Sequence, residues 1–139
     1  MSKHDKVANF IETVRDHYVG GDARAIDGEV KADRYRFMEE ELEEFSKATT
    51  LTDQVDALVD LHYFLLGTLY EMGVTSEQYD ECFDAVHEAN LTKKAGEKPG
   101  RTTWTKDAFK PEGWTDPKER IERILDGTRN KETPRSPSV

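Results

Sequence analysis

One stretch of this chain constrains its fold more than any other. Between Asp53 and Met72, the residues Val55, Leu58, Val59, Leu61, Phe64, Leu65, Leu66 and Leu69 wrap most of the circumference of a helix. A helix apolar nearly all round has to be buried in the middle of something. Thr52 or Asp53 supplies an N-cap, and Gly73 ends the run. The remaining chain must therefore provide helices to surround it. Val7, Phe10, Ile11, Val14 and Tyr18 recur at helical spacing and predict an amphipathic helix over residues 4–18, closed by Gly20-Gly21-Asp22. Residues 22–31 fit either a short helix or a loop. Tyr35, Met38, Leu42 and Phe45 form a second stripe over residues 33–48, broken at Thr49–Asp53. Thr75 and Ser76 then open a fourth helix, with Tyr79, Cys82, Phe83, Val86 and Leu91, reaching Lys94.

Beyond that helix the pattern changes. Gly96, Pro99, Gly100, Pro111 and Gly113 prevent any long regular element in residues 95–115. Trp104, Phe109 and Trp114 nevertheless predict an ordered arm packed on the body rather than a solvated linker. Asp116 with Pro117 opens a short helix through Leu125. There is no internal repeat and no convincing alternating strand. The expected class is all-α: a four-helix core, an irregular C-terminal arm and a short helix, in one domain over residues 1–127. Residues 128–139 read as a disordered tail.

Composition limits the function. Of 139 residues, 35% are apolar and 35% charged, and a chain this polar is expected to complete its core at a subunit interface. The formal charge is −9; residues 117–139 carry +2, leaving −11 on residues 1–116. Such a surface repels nucleic acid. It also repels a free polyphosphate unless bound cations invert the local potential. No apolar run approaches the length of a membrane span and none reads as a signal peptide, so a soluble, cytoplasmic protein is expected. Cys82, the single cysteine, reads as a small core residue.

The chemistry gathers in the middle of the chain. Helical geometry places Glu40, Glu41 and Glu44 on one arc of roughly 100°. Like charges packed this way repel, so helix stability alone does not recommend them. Taken alone, the run from Glu39 to Glu44 reads as a solvated face. Its context changes that reading, because Asp56 and Asp60 interrupt the apolar helix that follows, one turn apart. A buried unpaired carboxylate is costly. The pair therefore calls for a cation: a divalent metal, or else Arg34, Arg36 or Lys47 on an exposed strip. Downstream, His87, Asn90 and Lys94 fall on one helix face with Lys93 beside them. An amide among ammonium groups suits a sugar or polyphosphate, although two lysines at a helix C-terminus also simply complement its dipole.

With these residues in place, the chain resembles the MazG-like, all-α nucleoside triphosphate pyrophosphohydrolases, including their small phage and bacterial members. The resemblance covers residues 33–118. It rests on Glu40-Glu41-x-x-Glu44, on DALVDLHYFLLGTLYEMGV ending the acidic motif at Asp60, on VHEANLTKKAG and on FKPEGWTDP. The family's second motif has a glutamate three residues before the aspartate, a position held here by Ala57; Asp56 lies one residue earlier. The resemblance implies that Glu41, Glu44 and Asp60 are the principal Mg²⁺ or Mn²⁺ ligands, with Glu40 a ligand or the base that orients water; Asp56, which matches no position of the motif, is a ligand candidate only from its place in the apolar helix. It implies nucleotide and phosphate contacts from Asn90 and Lys93; Lys94 and His87, by their helical spacing, and Lys110 and Trp114 of the arm are additional candidates.

The implied reaction converts a (deoxy)nucleoside triphosphate to its monophosphate and pyrophosphate. The implied assembly is a homodimer or homotetramer, in the host cytoplasm for a phage-encoded member. An aromatic from the Trp104–Trp114 arm either stacks on the base or packs the arm onto the helices. Two alternatives stand beside this reading: a phosphoribosyl-ATP pyrophosphohydrolase of the same fold, and a non-enzymatic helical dimeric module with a merely solvated acidic face.

Overall fold

The computed structural model describes residues 1–96 and 106–126, so the expectations for Trp104 and for the tail at 128–139 fall outside it. Among the described residues the protein is all-α apart from one very small sheet, and the chain divides into two compact units, Met1–Ser76 and Glu77–Val139.

The first unit holds α1 (Lys3–Thr13), α2 (Gly28–Lys47) and α3 (Leu51–Glu71), with α3 packed against both others. Ser2 starts α1 with a reciprocal capping box: its hydroxyl accepts the Asp5 N–H at 3.0 Å, and the Asp5 carboxylate accepts the Ser2 N–H at 3.3 Å. The helix ends at Thr13, five residues short of expectation, and Asp16 then adopts the left-handed conformation (φ +50°). Val14 and Tyr18 are therefore exposed rather than part of the buried stripe, while Val7 and Ile11 are buried. Residues 22–31 divide at Asp27, loop before it and α2 after it.

The N-cap of α3 is Thr50, not Thr52 or Asp53; its hydroxyl accepts the Asp53 N–H at 3.2 Å. That places Asp53 in the first turn, where the helix dipole favours its charge. Ala57, Leu66, Gly67 and Tyr70 are the buried residues of α3. Its N-terminal half is less covered in the single chain, where Leu51, Val55, Leu58 and Val59 remain exposed.

The second unit contains α4 (Ser76–Leu91), β1 (Lys94–Gly96), β2 (Asp107–Phe109) and α5 (Lys118–Leu125). The strands pair antiparallel with Lys94 opposite Phe109, an element the sequence pattern did not predict because three residues are too few to display alternation. A Cβ at Gly96 would meet the Phe109 ring at 2.7 Å, so the aromatic ring lies directly on the glycine backbone. The fourth helix stops at Leu91 rather than Lys94, because Lys94 is drawn into this pairing. Trp114 packs the arm onto α4 by donating its indole N–H to the Ala89 carbonyl at 3.0 Å. Ile124 of α5 is buried, and Arg120 of α5 pairs with Glu88. Among the described residues, no helix is long and apolar enough to cross a membrane.

Tyr70 ties the chain that follows α1 to α3: its hydroxyl accepts the Val19 N–H at 3.1 Å and donates to the Glu12 carboxylate at 3.0 Å. Tyr70→Phe leaves the Val19 N–H without that acceptor and should lower stability by about 1–2 kcal/mol in urea unfolding. An unchanged midpoint would mean that water replaces the hydroxyl at no cost.

Candidate active site

α2 and α3 run antiparallel through a three-residue connection, which brings the end of one helix beside the start of the other. Their contact places Glu41 and Glu44 of α2 together with Asp60 of α3, each offering a carboxylate oxygen within 4.8 Å of the others. Oxygens on opposite sides of one octahedral Mg²⁺ shell lie about 4.2 Å apart, twice the metal–oxygen distance. Small side-chain rotations therefore suffice to close the group on a single cation.

The electrostatics of this corner point the same way. One carboxylate oxygen of Glu41, Oε2, is buried and has no hydrogen-bond partner. Burial, a hydrogen bond with Glu44, and the negative charges of Glu44, Asp60 and Asp56 push the Glu41 carboxyl up to about 7. Asp60 is raised as well, by burial and by Asp56 and Glu44. Nearby cations do not relieve this strain. Arg36 pairs with Asp33, Lys47 with Glu43, and Arg34 turns to neutral groups of α3. Among the described residues no basic side chain pairs with Asp56 or Asp60. An orphaned buried oxygen in a repulsive carboxylate corner fits a divalent cation.

Glu40 and Asp56 are exposed and do not join the converging three. Position 57, where the resemblance places a glutamate, holds a buried alanine. On α2, Tyr35 and Leu42 of the expected buried stripe are exposed, at 63% and 52%. The face toward α3 instead carries Arg34, Phe37 and Glu41. Sequence periodicity missed this face because its key members are polar. Arg34 was visible only as a possible ion-pair partner, and Gly67 carried no signal at all.

In the second unit, His87 and Asn90 lie exposed on α4, and Lys93 follows in a closing turn with its N–H on the Asn90 carbonyl at 3.1 Å. Lys94 does not share their helix face, since it begins β1. The Lys93 and Lys110 ammonium groups sit 5.4 Å and 5.0 Å from the centre of the Trp114 ring. The structure thus gathers Lys93, Lys110 and Trp114. A groove of about 520 Å³ runs beside them, lined by Ala85, Ala89, Trp114, Arg120 and Arg123 among others.

The raised Glu41 carboxyl sets a pH dependence. It holds its proton more tightly folded than unfolded, so its stabilising effect is complete below its ordinary value and is lost as pH rises through about 7. Without divalent metal, the melting temperature should fall between about pH 5 and pH 8, and Glu41→Gln should flatten that fall. Saturating Mn²⁺ should raise the melting temperature most at the alkaline end, where the carboxylates are charged. A melting temperature insensitive to both pH and metal would show that this corner carries no strain.

The family model described as phosphoribosyl-ATP pyrophosphohydrolase matches residues 8–90, a span that includes Glu41, Glu44 and Asp60 and ends at Asn90. No curated protein matches the chain. The matched family shares the fold of the MazG-like all-α nucleoside triphosphate pyrophosphohydrolases. With more than half of its residues covered by that match, the chain belongs to the phosphoribosyl-ATP pyrophosphohydrolase family.

Proposed function

We propose that this protein is a divalent-metal-dependent pyrophosphohydrolase that converts a (deoxy)nucleoside triphosphate to its monophosphate and pyrophosphate. The observation that carries the reading is the convergence of Glu41, Glu44 and Asp60, with one Glu41 oxygen buried and unpartnered. These three side chains hold the cation, Mg²⁺ or Mn²⁺, with Glu40 and Asp56 at its margin. A cation bound there supplies Lewis acidity toward phosphate oxygens and water. Glu40, exposed beside the cluster, orients the attacking water or takes its proton. The water oxygen bonds to phosphorus, the bond between the α and β phosphates breaks, and pyrophosphate leaves. Asn90, Lys93 and Lys110 bind the sugar and phosphates, with Lys94 and His87 as outlying contacts. Trp114 holds the two ring-bound lysines in place; with its N–H on Ala89 and its ring beside two ammonium groups, it supports the arm rather than a base.

The second reading, hydrolysis of phosphoribosyl-ATP itself, is favoured by the description of the matched family. Against it stands the arm, since Lys110 and Trp114 lie beyond the matched residues. A panel of nucleoside triphosphates, deoxynucleoside triphosphates and phosphoribosyl-ATP, assayed for pyrophosphate release with Mg²⁺ or Mn²⁺, separates the two. We expect release from at least one triphosphate. Glu41→Gln and Asp60→Asn should each reduce it by more than about 100-fold, as loss of a direct metal ligand exceeds the effect of losing its support. Release from phosphoribosyl-ATP alone would select the second reading, and release from nothing would remove both.

The active form is a homodimer or a homotetramer built from dimers. Leu51, Val55, Leu58 and Val59 recur at helical spacing on the side of α3 opposite Asp60, and Leu58 and Val59 are 45% and 56% exposed. An apolar stripe of this kind on a strongly charged chain is a surface for a second copy. Val59→Glu should shift the protein to monomer in size-exclusion chromatography with light scattering. A wild-type protein that is already monomeric would contradict the assignment.

A further inference from the structure

Arg34 is one of two buried polar side chains among the described residues, and it has no carboxylate partner among them. Its Nε donates to the Thr68 hydroxyl at 3.1 Å, and its NH2 group donates to the Phe64 carbonyl at 3.0 Å. The Phe37 and Phe64 rings flank the guanidinium at 5.5 Å and 5.7 Å. Beneath it lies Gly67, where a Cβ would meet the guanidinium nitrogen at 2.6 Å. A side chain at position 67 would force the tip of the guanidinium to shift, so the two residues fit each other at this joint between α2 and α3.

The placement of the joint carries the argument. Arg34 precedes Glu41 by seven residues on α2, and Gly67 follows Asp60 by seven on α3. Seven residues are two turns, which return to nearly the same face about 10.5 Å along the helix. In an antiparallel pair, the joint and the carboxylate cluster therefore lie on one seam, two turns apart. A slip of a single turn would move Glu41 about 5.4 Å past Asp60, too far for both to reach one cation. The cluster cannot hold this register itself, because Glu41, Glu44 and Asp60 repel one another. Buried charge without an ionic partner gains little stability over an apolar side chain, and fixing register is its best-supported use.

We infer that Arg34, seated on Gly67, is a positioning residue that sets the axial register of α2 on α3 and so presents Glu41 and Glu44 opposite Asp60. The inference rests on the metal-site reading above. Its test is Mn²⁺ affinity measured by electron paramagnetic resonance on the full chain, with helicity followed by circular dichroism. Arg34→Met should keep its helices and bind Mn²⁺ about 10- to 100-fold more weakly, the range typical for residues that orient ligands without touching the metal. Arg34→Lys should recover part of the loss through its remaining hydrogen bond to the Phe64 carbonyl. Thr68→Val, which keeps the guanidinium on its seat but removes one bond, should weaken Mn²⁺ by a smaller factor and serves if Arg34→Met fails to fold. Folded Arg34→Met or Thr68→Val protein with wild-type Mn²⁺ affinity would overturn the positioning role. Glu41→Gln is the separate control: if it too binds Mn²⁺ like wild type, the metal-site reading itself has failed.

Discussion

The first unit depends on a contest along the α2–α3 seam. At one end, three carboxylates crowd together and push the helices apart; two turns away, a guanidinium buried among two aromatic rings and a glycine holds them in place. Neither end makes sense as stability alone. Burial pulls the Arg34 guanidinium below its usual basicity while burial and like charge raise Glu41 and Asp60, so both ends are held away from their preferred states. Apolar packing of Val7, Ile11, Ala57, Leu66 and Tyr70 supplies the surplus that tolerates this. Such strained, incompletely compensated polar groups collect where a protein does chemistry.

Much of this was legible in the sequence, for a physical reason. Carboxylates at positions 40, 41 and 44, followed by Asp60 in an apolar helix, violate what helix stability would select, and a violation is visible without a structure. Helix existence was equally visible, since apolar spacing survives any detail of packing. The misses have different causes. The α2 contact face was misread because Arg34 and Glu41 occupy it, and periodicity counts only apolar residues. Helix ends at Thr13 and Leu91 depend on a left-handed Asp16 and on strand pairing by Lys94, neither of which composition announces. The hairpin joins segments ten residues apart through strands too short to show a pattern. Gly67 was invisible because its importance lies in another residue's need for space.

α3 reads as apolar all round, yet the single chain covers its apolar surface mainly in the C-terminal half. Leu66, Gly67 and Tyr70 are buried in its C-terminal half, Gly67 against Arg34 of α2 and Ile11 of α1, while Val55, Leu58 and Val59, two turns or more earlier, stay exposed. A helix with two working faces cannot be optimised for either alone. Substitutions on the outer stripe and on the Asp60 side are separated by the helix's own diameter, so their effects on stability should combine nearly additively unless association couples them.

The lysines around Trp114 differ in kind from the ion-paired cations of the surface. Arg36, Lys47, Arg120 and Arg123 each face a carboxylate, so each pair is close to neutral when viewed from a distance. Lys93 and Lys110 are held instead by the quadrupole of a neutral ring. An ammonium steadied this way loses mobility without losing charge. In a chain of net charge −9 it remains a source of positive potential, and its far field falls off as that of a monopole rather than a dipole. An incoming anion would sense that potential before it met any contact, and added salt would dim it within a Debye length of about 10 Å.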